Sequence, residues 1–181
     1  MAIIDTDGWK EFNIGDLFQT EKIGKSLQVP TGAWINTLNL SEGTIPRITV
    51  SNFNNGIVGY YSDFEDSDYR IYENFISVSF LGTVFYQPGK ASLDMKVHCL
   101  KPLNVALNYK IACFLVTMIK SSIDNFVYQD QLSATVLPNV KIKLPSKSDK
   151  SPDWDYMDSF MAEVMKESKA CLENLMLALR I

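Results

Sequence analysis

The chain has 181 residues, 46% of them hydrophobic, which is enough to bury a core in one domain of ordinary size. A formal charge of −4 and a pI near 5.0 argue against a globally basic nucleic-acid binder, although they leave room for a local basic face. Between Leu81 and Lys143 seven lysines stand against three aspartates, a local balance of +4.

Trp9 to Phe18, WKEFNIGDLF, predicts a short strand followed by a single helical turn, with Trp9, Phe12, Ile14, Leu17 and Phe18 as anchors. No cationic stretch precedes an apolar one in Met1 to Lys10, so no signal peptide is expected. Residues 22–36 form a polar, glycine-containing loop. Five strand candidates follow, at 45–50, 56–61, 74–80, 83–87 and 96–102, rich in β-branched and aromatic residues and separated by Asn, Gly and Pro. FISVSF (75–80) alternates strictly, which predicts a polar face carrying Ser77 and Ser79.

Residues 107–122 then switch to helical spacing, with Asn108 as the N-cap. VLPNVKIKLP (136–145) returns to strand. After a linker at 146–155, Ser151 as N-cap and Pro152 at the first position predict a helix running to the end of the chain. Its stripe includes Met157, Phe160, Met161, Val164, Ser168, Cys171, Leu172, Leu175 and Leu179. The expected fold is α+β: a twisted, mostly antiparallel sheet with few helices over 1–145, then a linker and one long amphipathic helix over 146–181.

Catalytic chemistry is sparse. The one histidine, His98, adjoins Cys99 within a strand candidate, where neighbours point to opposite faces and cannot form a nucleophile–base pair. The acidic DFEDSDY (63–69) lacks the glycine and closing glutamate of an EF-hand loop and reads as a solvated turn. Pro152 and Asp153 with Glu163 and Lys166 lie on a predicted helix, at the wrong spacing for a metal-dependent nuclease. A glycine-rich phosphate loop, a metal-ligand cluster and an Asn-Pro-Pro-Tyr tetrapeptide are all missing from the sequence. The expectation is a binding protein without enzymatic activity, cofactor or metal. Three cysteines without a C-x-x-C pair suit reduced thiols in a cytoplasm, and the longest apolar stretch, 111–119, is too short to span a bilayer.

Several segments in order carry a resemblance: FNIGDLF (12–18), GTIPRITVSNFNNGI (43–57), LGTVFYQPGKAS (81–92), KIKLP (141–145) and PDWDYM (152–157). Together they resemble the target recognition domain of restriction–modification specificity subunits, of Type I and related bifunctional Type II systems. The resemblance implies a domain that binds half of a bipartite duplex DNA site and a helix that packs against a partner helix as a spacer. It also implies catalysis in separate methyltransferase and nuclease partners. A full specificity subunit usually holds two such domains and two helices, so the expectation is either a half-subunit that pairs with itself or a fragment or split gene that needs another half.

Within that frame, Asn and Gln suit adenine, Arg and Lys suit guanine, and Ser or Thr suits either edge. Three stretches offer such groups: Arg47, Thr49, Ser51, Asn52, Asn54 and Asn55; Tyr86, Gln87 and Lys90; and Gln129 and Gln131. Lys22, Lys25, Lys141 and Lys143 would touch phosphates, which fix register without reading sequence. SNFNNG is equally a plain turn, since Asn-Gly favours positive φ. The helix stripe could close the domain's own core, but the globule looks complete by Pro145 and about 25 helical residues would extend nearly 40 Å. The alternative to DNA reading is a structural or regulatory half acting only through that helix.

Overall fold

The structure, a computed structural model, describes residues 6–63, 68–124 and 132–179. Strand β1 (Lys10–Asn13) runs straight into the short helix α1 (Ile14–Leu17), and Ile14, Leu17 and Phe18 are buried, as the spacing of the apolar anchors predicts. A hairpin follows, β2 (Glu21–Ile23) with β3 (Ser26–Gln28), turning at Gly24 with φ +61°. This stretch was expected to be loop. Its three-residue strands carry too little alternation to announce themselves.

The main sheet holds β4 (Glu42–Ile48), β5 (Ile57–Tyr61), β6 (Ile71–Ser79), β7 (Val84–Leu93) and β8 (Val97–Leu100) in the order β5-β4-β7-β6-β8. All neighbours are antiparallel except β4 and β7, which run parallel through Arg47↔Ser92 and Ile48↔Leu93. Strand β7 continues through Pro88 and Gly89, past the expected end at 87. Proline does not break it here, because a register shift between Glu73 and Phe75 loosens the facing ladder of β6 at that level.

Central β6 is covered on both faces. Ile76 and Val78 enter the principal core with Val84, Leu100 and helix α2 (Tyr109–Ile123), while Phe75 joins Ile48, Leu93, Val97 and Cys99 in a second cluster. Ser77 and Ser79 do share one face, but that face is dry: both are buried and bonded, Ser77 Oγ to Phe85 O at 3.2 Å and Ser79 Oγ to Thr83 Oγ1 at 2.7 Å. The polar face is real and it is buried, because a short hydroxyl satisfied by neighbouring strands costs little to bury.

Helix α2 starts at Asn108, whose Oδ1 accepts from Ile111 N at 2.9 Å. Strand β9 (Lys141–Leu144) follows a 3-10 turn at Leu137–Asn139 and pairs antiparallel with β1, Phe12 opposite Ile142. Helix α3 (Trp154–Ala178) is capped by Asp153, whose Oδ1 accepts from Tyr156 N at 3.0 Å, rather than by the expected Ser151. Ser151 instead donates to Asp149, closing the turn before the helix. Met157 is fully buried and belongs to the same cluster as α2, so the core closes on α3 and not at Pro145. None of the helices among the described residues is long and apolar enough to cross a membrane.

Candidate nucleic-acid interface

The amide-rich run leaves β4 with two different fates. Arg47, at its start, is only 2% exposed; its Nη2 donates to Asp94 Oδ1 at 2.9 Å and to Ala33 O at 3.0 Å, and its guanidinium lies 6.0 Å from the centre of the Tyr69 ring. This arginine ties β4 to the end of β7 and is not presented to a ligand, which corrects the expectation that it touches a base. Burying the guanidinium costs desolvation, which the Asp94 carboxylate and the Ala33 carbonyl offset.

Past Arg47 the chain rises into a compact turn. Thr49 N donates to Gly56 O at 2.9 Å, and Gly56 N donates to Phe53 O at 2.8 Å. Ser51 N donates to Thr49 Oγ1 and Phe53 N to Ser51 Oγ, so Thr49 and Ser51 spend their hydroxyls on the turn itself. Asn54, Asn55 and Gly56 all have positive φ, at 47°, 58° and 81°. Asparagine tolerates that region better than other side chains. At Gly56 a Cβ would also stand 3.0 Å from the Ile48 side chain, which would have to give way, so strain from φ and crowding both favour glycine there. The outcome is that Asn52, Phe53, Asn54 and Asn55 are exposed on a turn of defined shape.

The second stretch, on β7, meets the first. Gln87 Nε2 donates to Asn55 O at 3.0 Å and Asn55 Nδ2 donates to Tyr86 O at 3.1 Å. Gln87 itself is 4% exposed, so it holds the turn and is not available to a base, a second correction. Tyr86 is partly buried, its hydroxyl donating to Asn74 Oδ1 at 2.9 Å, and burial raises its pKa. Lys90 is exposed on the same strand, opposite Glu73. Gln129 and Gln131 lie outside the described residues.

The lysines fall into two groups. Lys22 and Lys25 are exposed on the β2–β3 hairpin. Lys141 and Lys143 point outward from β9, Lys141 Nζ bonded to Glu11 Oε2 at 3.0 Å and Lys143 Nζ to Thr6 Oγ1 at 3.4 Å. Two aromatic side chains were not singled out from sequence: Phe53, 78% exposed at the tip of the turn, and Tyr109, 65% exposed and 6.4 Å from Tyr86 between ring centres. Nothing in their spacing separates an exposed ring from a core ring.

His98 and Cys99 offer no nucleophile. His98 Nε2 donates to Leu132 O at 2.8 Å and Nδ1 faces Thr31 Oγ1 at 2.9 Å; burial lowers its pKa and keeps it neutral. Burial pushes the Cys99 thiol up to about 12. All three cysteines are free thiols, and no group of three His, Cys, Asp or Glu among the described residues is placed to hold a metal.

Helix α3 divides in two. Phe160 packs edge-on against Phe114 at 6.0 Å and Met161 sits against the core, so these two expected partner contacts serve the domain itself. Asp158 joins this anchorage, accepting from Lys110 and from Asn108 Nδ2, and those bonds hold its carboxyl below the usual range. Beyond, Val164, Ser168, Cys171, Leu172, Leu175 and Leu179 are all exposed, as are Met176 and Leu177; the Ser168 hydroxyl turns back to Val164 O.

Residues 6–174 match the family model described as Type I restriction modification DNA specificity domain. The chain belongs to that family. A curated relative in Heyndrickxia coagulans, the specificity subunit S.BcgI of a Type II restriction enzyme, is 27% identical over 157 residues, covering 84% of this chain and 42% of the relative. The chain therefore spans well under half of that relative's length. Among solved structures it shares its fold with the S subunit of a Type I restriction–modification system from M. genitalium (TM-score 0.56, 14% identity, 95% of this chain and 44% of that one). It also shares it with the HsdS subunit from Thermoanaerobacter tengcongensis (TM-score 0.56, 11% identity, 91% and 39%). A chain from a study of complex assembly and conformational transition of the Type I system gives a TM-score of 0.60 at 14% identity, over 96% of this chain and 43% of that one.

Proposed function

We propose that this specificity domain reads one half of a bipartite duplex DNA sequence, within residues 1–145, and directs methyltransferase and nuclease partners to it from the cytoplasm. Catalysis then resides in those partners, and residues 146–181 supply the linker and spacer helix. The observation that carries this reading is the turn at 52–55. Asn52, Phe53 and Asn54 stand in the open on a turn bonded to the sheet, the Asn54 amide also donating to Ile57 O at 3.4 Å. Asn52 and Asn54 are the adenine-type readers and Phe53 an apolar contact, a role that thymine's methyl group suits. Lys90, Lys22 and Lys25 are the phosphate contacts, with Lys141 and Lys143 weaker candidates because each already has a partner.

The exposed part of α3, from Val164 onward, pairs with a helix of a second specificity half. Val164, Ser168, Cys171, Leu175 and Ala178 repeat at alternating steps of four and three residues, the spacing of a two-helix seam. That exposed stripe also favours the second reading, a half that acts through the helix alone and reads no DNA.

Selection from a randomised duplex pool at two salt concentrations separates them. The DNA reader enriches a short motif; Lys90→Ala weakens binding evenly across sequences and lowers the salt slope by about one. Asn54→Ala relaxes preference at one or two base pairs. A chain that enriches nothing, alone or with a cognate methyltransferase, but still associates through its helix belongs to the second reading.

A further inference from the structure

Among the described residues, Gln87 is the most deeply buried of the amide side chains that the sequence offers as DNA contacts, and both of its amide hydrogens are assigned. One goes to Asn55 O at 3.0 Å and the other to Ser77 Oγ at 3.2 Å. Ser77 in turn donates to Phe85 O at 3.2 Å, so its oxygen is left to accept. Asn55 returns a bond from its own amide to Tyr86 O. The turn is thus stitched to β7 by two bonds running in opposite directions, at a point where three successive residues adopt left-handed backbone. The turn's own bonds close it, and the reciprocal pair fixes it to β7.

We infer that Gln87 is a positioning residue for DNA recognition: it touches no base, but it fixes the orientation in which Asn52, Phe53 and Asn54 meet the duplex. The inference rests on the DNA-reading function proposed above and names how that surface is kept in register. A side chain's bond to a base edge discriminates only if the backbone beneath it is held, because a mobile carrier can satisfy several bases equally. Specificity should therefore depend on a buried residue more than on general affinity, which the exposed lysines supply.

The test compares Gln87→Met with Ser77→Ala in the full chain, each taken through selection on the randomised duplex pool and through titration of non-specific duplex. Methionine keeps the length and packing of glutamine but donates nothing to Asn55 O. Ser77→Ala disturbs the same buried neighbourhood and leaves that bond intact. Gln87→Met should lose about tenfold of the preference at one to three base pairs while non-specific binding changes by less than about twofold. Ser77→Ala should keep the wild-type motif. Adding Asn54→Ala to Gln87→Met should cost no further preference, since the two act through one turn. Exchange of the Gly56 amide should be faster in Gln87→Met without any DNA present. If the methionine variant fails to fold, Gln87→Leu carries the same test, because its apolar side chain donates nothing to the carbonyl. Discrimination in Gln87→Met equal to that of a selective wild type overturns the inference alone. A wild-type chain that enriches no motif overturns the DNA reading and the inference with it.

Discussion

Helices α2 and α3 begin alike and end differently. Each is capped by an Asn or Asp whose Oδ1 accepts from the amide three residues on, Asn108 from Ile111 and Asp153 from Tyr156. Helix α2 then buries Ile111, Ala112, Phe114, Leu115, Ile119 and Ile123 in 15 residues, whereas α3 buries Met157 in 25. The difference lies in what each helix faces and not in its own propensity. Helix α2 lies on a sheet along its length; α3 meets α2 for two turns and then leaves. An amphipathic stripe states that a helix has a partner, without stating whether the partner is in the same chain.

The sharpest test of that contrast is truncation inside α2. Leu115→Ala should lower unfolding free energy by about 2–5 kcal/mol, measured by urea denaturation, because the fully buried leucine has no solvent to relax into. A smaller, pH-dependent effect belongs to the junction of the two helices. The Asp158 carboxyl is held below its ordinary value by Lys110 and Asn108. Its contribution is therefore complete above the unfolded-state value, near 3.8, and disappears as pH falls through the lower folded-state value. Asp158→Asn should lower the melting temperature most at neutral pH and flatten its fall across the acidic window, the two proteins converging below it. The least effect on the isolated fold is expected of Leu172→Ala, at 61% exposure in α3: within about 0.5 kcal/mol in urea. The same substitution should weaken self-association in sedimentation if the stripe has a partner helix. A loss above 1–2 kcal/mol in the monomer would erase the contrast, by showing that the outer part of α3 is docked after all.

Much of this architecture is legible in the sequence, because periodicity, caps and punctuation are local signals. The first strand and turn, the five sheet strands, Asn108 and the long terminal helix all follow from them. What is not legible is what lies across space. Arg47 and Gln87 have the chemistry of base readers, and only the approach of Asp94 and of Asn55 turns them into internal fastenings. The same holds for Ser77 and Ser79, hydroxyls on a face that another part of the chain keeps dry. Phe53 is the converse case, an aromatic in a strand-rich region that ends up in the open. The α3 cap moved from Ser151 to Asp153 for a smaller reason. Two good capping residues flank Pro152, and the upstream one found a local partner in Asp149. The family resemblance supplied the fold's overall plan and the expectation of DNA recognition, but not which polar side chains face outward.

The pairing of β1 with β9 has a consequence for the order of events during synthesis. Glu11 and Lys141 stand 130 residues apart in the chain yet form an ion pair across these strands. The first strand cannot pair until residues 141–144 have been made, so this closure of the fold is long-range and comes after the intervening strands and α2 have been synthesised.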